Sequence, residues 1–239
     1  MVKYIADRTG RFKFRPYYSE GELDRECEQI ITRHLQDRRG EVKFPVTTED
    51  LNVLIERDAE DLDSYADLSA DGPTVEGVTE FRRGRKPSVK ISRDLSTDHR
   101  RENRLRTTLA HEYGHVRFHN PLFQQVDDTS DLYQKPKAVE RVVCKRDFML
   151  NPPDSDWLEW QASYISSSLL MPVSHLKRAV GAFLERGGLF GPLQSTSPEG
   201  LALCKEIMSA FQVSEDAARI RLSKLQLISV SQTQPSLFS

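Results

Sequence analysis

The feature that most constrains this chain is the pentapeptide His-Glu-x-x-His at residues 111–115. On a helix with 3.6 residues per turn, His111 and His115 lie one turn apart on the same face, so both imidazoles can bind one metal ion. Two neutral imidazoles suit Zn²⁺, and the carboxylate of Glu112 can take a proton from a water molecule at that ion. The pattern therefore predicts a helix at a zinc site.

The residues around the pentapeptide favour that helix. Small and apolar side chains continue the helical pattern back to Leu105 and forward to Val116. Gly114 costs a helix about 1 kcal/mol relative to Ala, which predicts that another element packs closely at this position. Candidate N-cap residues at 96–98 precede the helix, and the Asn-Pro pair at 120–121 is predicted to end it.

A zinc hydrolase needs a third protein ligand in addition to one open coordination position. His119 lies one further turn along the helix and would point away from the ion, so we predict that it packs beside the site without binding metal. Downstream, residues 154–156 can cap a helix over residues 157–171 that Pro172 ends. Glu159 lies on this second helix and is predicted to be the third ligand.

One face of the second helix consists of small residues, which would let it approach the first helix closely. These residues follow Glu159 at helical spacing and are Ala162, Ser163 and Ser166. The competing interpretation is an exposed Glu159 that the helix dipole favours at the helix start. Close approach of the two helices distinguishes the interpretations, because only then can the carboxylate reach the ion.

The two segments contain several motifs of a known family. The motifs are His111-Glu112-Tyr113-Gly114-His115 with Phe118-His119, then Glu159-x-x-Ala162, and finally Leu169-Leu170-Met171-Pro172. With them the chain resembles the ImmA/IrrE family of bacterial metallopeptidases over roughly residues 75 to 175. Ser163, Ile165 and Ser166 stand where the family commonly has Asn, Phe and Ala. These departures concern packing and substrate detail, since no ligand or base is changed.

The resemblance implies a zincin-like fold in which His111, His115 and Glu159 hold zinc and Glu112 is the catalytic residue. It also implies a protein substrate, because family members typically act on DNA-binding transcriptional repressors of mobile elements or stress responses. The predicted function is therefore that of a zinc-dependent endopeptidase. The alternative is a regulatory protein that binds a repressor or DNA without proteolysis and has a structural metal site. The presence of Glu112 argues against this alternative, because a structural site needs no base.

The composition predicts a soluble protein of the cytoplasm. Its 239 residues are 38% apolar and 29% charged, and no apolar run approaches the ~20 residues of a membrane span. The first residues lack the continuous apolar segment of a signal peptide. Three separated cysteines, Cys27, Cys144 and Cys204, predict neither a disulfide framework nor a zinc–thiolate cluster. A net charge of −2 gives no overall attraction to nucleic acid, so direct nucleic-acid binding is the minor alternative.

The pattern as a whole predicts an α+β fold, with a zincin-like metallopeptidase domain at residues 1–175 and a C-terminal helical region at 176–239. The domain is expected to contain a small antiparallel sheet besides the active-site helix. Its first predicted elements are an extended arm to residue 18, a capped helix at 19–36, and a second helix that begins between residues 45 and 48 and turns Leu51, Leu54 and Ile55 inward. The acidic stretch at 56–63 is predicted to be a solvated helix end or loop, and residues 75–81 and 87–92 are predicted to form the two strands of a hairpin.

The C-terminal region contains two predicted helices that resemble a helix-turn-helix. Its predicted parts are a connector at 185–191, a helix from Ser197 with Leu201, Cys204, Met208 and Phe211 on one side, a second helix after Val213-Ser214, and a loose tail at 232–236. Arg219, Arg221 and Lys224 on the second helix could contact phosphate. The solvated face of an amphipathic helix is the favoured interpretation of these charges.

Overall fold

The structure is a computed structural model that describes residues 3–124, 139–145 and 156–229. It is a mixed α+β structure with small sheets, as predicted. The chain divides into two compact units, Met1–Leu170 and Met171–Ser239. None of the helices within the described ranges is long and apolar enough to cross a membrane.

The first two helices begin where the sequence predicts. The helices α1 (Glu20–Arg39) and α2 (Thr48–Asp58) start at capping boxes whose N-cap residues are Ser19 and Thr47. Helix α1 continues past its predicted end until Gly40, which takes a left-handed conformation with φ of 74°. The predicted inward residues of α2 are buried, namely Leu51, Leu54 and Ile55.

Asp50 is a buried carboxylate that fixes the start of α2 and binds the end of α1. Its Oδ2 accepts hydrogen bonds from the backbone N–H of Thr47 at 2.7 Å, from the Thr47 hydroxyl at 2.6 Å, and from the Arg39 guanidinium. Burial acts to raise the pKa of Asp50, but these hydrogen bonds hold it below its ordinary value. The ionised carboxylate therefore stabilises the fold.

The substitution Asp50→Ala is expected to lower the free energy of unfolding by about 3 kcal/mol at neutral pH, because Arg39 loses its buried carboxylate partner. The folded-state pKa is depressed, so this stabilisation is present above the unfolded pKa of about 3.9 and is lost as pH falls through the folded value. Urea unfolding of both proteins at pH 7 and pH 3 should give a smaller difference at pH 3. An equal difference at both pH values would contradict this role.

The strands of the first unit form a small pair and a four-stranded sheet. The pair is β1 (Lys3–Ala6) with β2 (Phe14–Tyr17), and the sheet contains β3 (Asp61–Ala66), β4 (Val75–Phe81), β5 (Ser88–Ser92) and β6 (Glu140–Lys145). The strand order is β3-β5-β4-β6, with β4 antiparallel to both neighbours and β3 parallel to β5. The predicted antiparallel hairpin of β4 and β5 is confirmed.

Strand β3 overlaps the acidic stretch that was predicted to be a loop or helix end, and that prediction was wrong from Asp61 onward. The side chains of Asp61 and Asp63 are exposed while Leu62 between them is half-buried, which is the alternation of a strand. Pairing with β5 stabilises this acidic strand, because the neighbouring strand offers hydrogen-bonding partners to its backbone. The strand was missed because the acidic residues Asp61 and Asp63 at its start are typical of a loop or helix end.

The motif helix is reached through two short turns. Helix α3 (Arg93–Ser96) is followed by a 3₁₀ turn at His99–Arg101, and α4 (Glu102–Gly114) begins directly after it. Asp98, one of the predicted N-cap residues, accepts a hydrogen bond from the backbone N–H of Arg100 at 3.2 Å. It therefore caps the 3₁₀ turn that leads into α4, and not α4 itself.

Helix α4 does not stop at the motif. The backbone continues as a π-helical turn over His115–His119 and then as α5 (Asn120–Phe123). The prediction that residues 120–121 end the helix was wrong, because Pro121 falls in the first turn of α5, where a missing N–H costs nothing. Helix α6 (Trp157–Leu170) follows as predicted. Two of its proposed capping residues, 154 and 155, lie outside the described residues.

The second unit is helical over most of its described residues. It contains α7 (Val173–Gly187), a strand pair of β7 (Leu193–Gln194) and β8 (Ile228–Ser229), and between them α8 (Pro198–Phe211) and α9 (Glu215–Lys224). Helix α7 runs through Gly187, so the predicted connector at 185–191 was wrong for its first three residues. The predicted tail at 232–236 lies outside the described residues.

The buried faces of α8 and α9 match the predicted ones except at Leu201 and Arg221. Leu201 is 45% exposed, whereas Leu203, Cys204, Ile207 and Phe211 are buried. Arg221 is fully buried, and its Nε donates to the carbonyl oxygen of Met171 at 3.3 Å. The prediction of a solvated Arg221 was therefore wrong, and this residue is not free to contact phosphate. Arg219 and Lys224 are exposed, as predicted.

Candidate metal centre

Close packing of α4 against α6 creates the site. A Cβ placed on Gly114 would lie only 3.2 Å from the Cα of Ala162 and 3.3 Å from Cγ2 of Ile165. The hydroxyl of Ser166 donates to the backbone carbonyl of Thr107 at 3.0 Å. The predicted role of Gly114 is confirmed, since any larger residue would push the helices apart.

Three side chains from these helices meet at one point. Nε2 of His111 lies 3.1 Å from Nε2 of His115 and 3.2 Å from Oε2 of Glu159, while Nε2 of His115 lies 3.2 Å from the other oxygen, Oε1, of the same carboxylate. All three side chains are almost fully buried. Tetrahedral zinc bonds of about 2.0–2.1 Å place neighbouring ligand atoms about 3.3 Å apart, so this triangle has the dimensions of a zinc site. The structure brings Glu159 to the gap between the two histidines and excludes the exposed alternative.

The electrostatics of the triangle also fit a cation. Neither carboxylate oxygen of Glu159 makes a hydrogen bond of acceptable geometry with any described residue, although both are buried. Burial would raise the pKa of Glu159, but the two imidazoles hold it far below its ordinary value. Burial lowers and Glu159 raises the pKa of His111, with a net rise. A buried carboxylate facing two imidazole nitrogens is stabilised by positive charge between them.

A chain of hydrogen bonds that runs from Gln161 through His119 sets the tautomer of His115. The amide Nε2 of Gln161 donates to the carbonyl oxygen of Pro16 at 3.4 Å, which leaves its Oε1 facing Nε2 of His119 at 3.1 Å. Burial and the neighbouring His115 keep the pKa of His119 well below its ordinary value, so this imidazole is neutral. Because an amide oxygen only accepts, Nε2 of His119 carries the proton.

The remaining nitrogen of His119 must then accept a hydrogen bond. Nδ1 of His119 lies 2.9 Å from Nδ1 of His115, so His115 donates there and keeps a free lone pair on Nε2. That lone pair faces His111 and Glu159, as a metal ligand requires. The prediction that His119 packs beside the site without entering it is confirmed. Both rings lie on the π-helical turn at His115–His119.

The substitution Gln161→Leu is expected to lower zinc affinity about 10–100-fold, the usual effect of removing a residue that orients a ligand. It removes the acceptor that fixes the tautomer of His119 and hence of His115, while it preserves side-chain volume. Titration against a fluorescent zinc chelator measures this change, with Gln29→Leu at an exposed position of α1 as the control. Equal affinity in the two variants would contradict the proposed tautomer chain.

Glu112 lies beside the triangle in a pocket shaped by β4. Its Oε2 accepts a hydrogen bond from the hydroxyl of Thr79 at 2.5 Å, and its Oε1 is buried without a hydrogen-bond partner among the described residues. A Cβ on Gly77 would overlap Oε1 of Glu112 and lie 2.8 Å from its Cδ, so only glycine leaves room for this carboxylate. Burial raises the pKa of Glu112. The arrangement leaves one carboxylate oxygen able to accept a proton.

Cys144 is a site residue that the sequence did not reveal. One ligand atom each of His111, Cys144 and Glu159 lie within 4.8 Å of one another, and Cys144 is fully buried. Burial, with Glu112 and Glu159 nearby, raises the pKa of this thiol well above its ordinary value. The sequence predicted no zinc–thiolate cluster and did not single out Cys144, which β6 brings to this group from a distant part of the chain.

Every predicted site residue meets at this centre. The three ligand candidates and Glu112 are joined by Cys144, Thr79 and the hydrogen-bonded pair of His119 and Gln161, none of which was predicted to act on the ion. The buried group could hold a metal ion. Comparison with family models gives no match to this chain, and comparison with curated proteins gives none either.

Proposed function

We propose that this chain is a zinc-dependent endopeptidase with a zincin-like core, of the ImmA/IrrE type that its motifs resemble. One observation carries the proposal. A carboxylate with a free acceptor oxygen, Glu112, lies beside the triangle of side chains His111, His115 and Glu159, whose nitrogen and oxygen atoms have separations that suit zinc. A structural metal site would not need this base, whose carboxylate is held by the Thr79 hydroxyl and fits against Gly77.

Each residue of the site has its own role in the proposed hydrolysis of a peptide bond. A zinc ion held by the triangle would polarise a peptide carbonyl and lower the pKa of a water molecule toward about 7. Glu112 takes the proton of the attacking water at its Oε1 and passes it to the departing amine. Thr79 fixes the other carboxylate oxygen, so the proton acceptor points in one direction. Burial moves the pKa of Glu112 upward, which is the direction a base needs to work near neutral pH.

The substrate is a protein, and the resemblance supports a DNA-binding repressor of a mobile element or stress response. The test is incubation of the zinc-loaded protein with the repressor encoded nearest its gene, followed by mass spectrometry of new chain ends. Chelator-treated protein is the control. Cleavage that requires zinc supports the proposal, while an intact repressor panel together with intact unfolded test proteins contradicts it.

The substitution Gly77→Ala is expected to reduce cleavage about 100-fold, because the new methyl group displaces the carboxylate of Glu112 from its position. Stability should change little, since the overlapping atoms belong to the end of a flexible side chain. Cleavage rates and thermal unfolding of the same samples measure both effects. The matched control is Gly21→Ala, where a Cβ meets no neighbour within 4 Å. Equal rates in the two variants would exclude the proposed position of Glu112.

A second candidate function is a regulatory binding protein with a structural metal site. The observation that favours it is Cys144, because a buried cysteine grouped with His111 and Glu159 adds a protein donor, and structural zinc sites are closed by protein donors. In that case the protein binds a repressor or DNA without cleaving it. Repressor binding that persists with zinc bound and with no cleavage would favour this candidate over the peptidase.

A further inference from the structure

Cys144 is held at the metal centre by the sheet. In the ladder between β4 and β6, Cys144 lies directly opposite Gly77, and Val142 lies opposite Thr79. Residues that face each other across a ladder project to the same side of the sheet. Gly77 and Thr79 both contact Glu112, so the thiol of Cys144 projects toward the same carboxylate and the ligands beyond it.

The dimensions place the thiol within ligand distance of two members of the triangle, His111 and Glu159. Bonds of about 2.3 Å to sulfur and about 2.0 Å to nitrogen, at a tetrahedral angle, separate the two ligand atoms by about 3.5 Å. The ligand atoms of Cys144, His111 and Glu159 lie within 4.8 Å of one another, which accommodates this separation. Cys27 and Cys204 are also buried, but neither belongs to a group of this kind within the described part of the chain.

The charge of the centre accommodates a fourth ligand of this type. A dication bound by two neutral imidazoles and the single carboxylate of Glu159 keeps one positive charge in a buried centre, beside the carboxylate of Glu112. A thiolate from Cys144 makes the set of ion and four ligands neutral. The thiol gives up its proton to solvent as the sulfur–metal bond forms, as metal-binding thiols do.

We propose that Cys144 is the fourth protein ligand of the resting metal centre, so that the site is closed until the thiolate leaves. This inference rests on the proposed function, because it describes how that same site is regulated. Strand β4 pairs with β5 along one edge and with β6 along the other. Cys144 lies on β6 and therefore reaches the ion from the β6 edge of β4. Release of the thiolate frees one coordination position, and the ion keeps His111, His115 and Glu159.

Cobalt(II) reports directly on this ligand. The purified full-length protein, loaded with cobalt in place of zinc, should show visible d–d absorption and a near-ultraviolet thiolate-to-cobalt charge-transfer band. Cys144→Ser and Cys144→Ala should each lose the charge-transfer band and keep cobalt bound. Cys27→Ser and Cys204→Ser are matched controls that should keep the band. Both Cys144 variants should also cleave substrate faster than wild type, since their resting site is open.

The outcomes separate this inference from the proposed function. Bound cobalt without a charge-transfer band in wild type, or a band that survives in both Cys144 variants, overturns the thiolate ligand and leaves the three-ligand peptidase intact. Wild-type protein that binds no cobalt and no zinc overturns the metal centre and this inference with it. A band lost only in the Cys144 variants, with Cys27→Ser and Cys204→Ser unchanged, supports the inference.

Discussion

Replacing Glu112 by Gln is expected to abolish peptide-bond cleavage while zinc stays bound. The amide has nearly the same shape, and its oxygen can still accept the hydrogen bond that Thr79 now gives to Oε2 at 2.5 Å. The amide cannot take a proton from water, however, so the rate should fall by about 10²–10⁴-fold, the usual contribution of a general base. Cleavage of the repressor or a test peptide measures the loss of activity, and the zinc content of the same sample shows whether the ion stays bound.

The matched control for this variant is Glu102→Gln, at an exposed position in the first turn of the same helix. It changes the same functional group but not the site, so cleavage should remain close to wild type. A folded, zinc-loaded Glu112→Gln protein that still cleaves at the wild-type rate would refute Glu112 as the base. Loss of cleavage together with loss of zinc would instead assign Glu112 a role in holding the ion.

Replacing Glu159 by Ala is expected to remove most of the stabilisation that zinc gives the wild-type protein. An ion that binds only the folded chain adds about 4 kcal/mol when its free concentration is 1,000 times Kd. For a unit of this size that corresponds to roughly 10 °C in Tm. Without Glu159 the carboxylate that lies 3.2 Å from both imidazoles is missing, so affinity and the zinc-dependent rise in Tm should fall together.

Thermal unfolding at buffered free zinc concentrations tests this expectation. Glu56→Ala, at an exposed position of α2, is the control and should show the wild-type rise in Tm. An unchanged zinc-dependent rise in Glu159→Ala would mean that another residue supplies the third ligand. The comparison is made between metal-free and metal-loaded samples of each variant, so any direct effect of the substitution on the fold cancels.

The parts of the structure that sequence predicted are those that local patterns determine. The capping boxes at Ser19 and Thr47 satisfy the first backbone N–H groups of their helices, and the positions of α1 and α2 follow. The face of small residues after Glu159 predicted close packing, and Gly114 against Ala162 is that contact. Both helices that carry the ligands could therefore be predicted from residue spacing and residue size alone.

The parts that sequence did not predict depend on distant segments. Strand β3 exists because β5 pairs with its acidic backbone, and no local pattern specifies that partner. Cys144 reaches the ligands only because β6 pairs with β4, which lies more than sixty residues earlier in the chain. The tautomer chain needs the carbonyl of Pro16 from the N-terminal arm. Such contacts depend on tertiary packing, which cannot be predicted from the local patterns of a single sequence.

The C-terminal helices give less support to nucleic-acid binding than their charges suggested. Of the three basic residues on α9, Arg221 is buried and donates to a backbone carbonyl. Arg219 is exposed, but its guanidinium contacts Asp216 at 2.6 Å on the same helix. Packing or partner recognition therefore stays the favoured prediction for these helices, over contact with nucleic acid.

The most direct test of the proposed metal centre is the zinc content of three proteins after equilibration in one zinc buffer. Elemental analysis should find one zinc per chain in wild type and in Glu112→Gln, and clearly less in Glu159→Ala. That result requires Glu159 to hold the ion and leaves Glu112 free for chemistry. Equal zinc in wild type and Glu159→Ala would contradict the proposed metal centre.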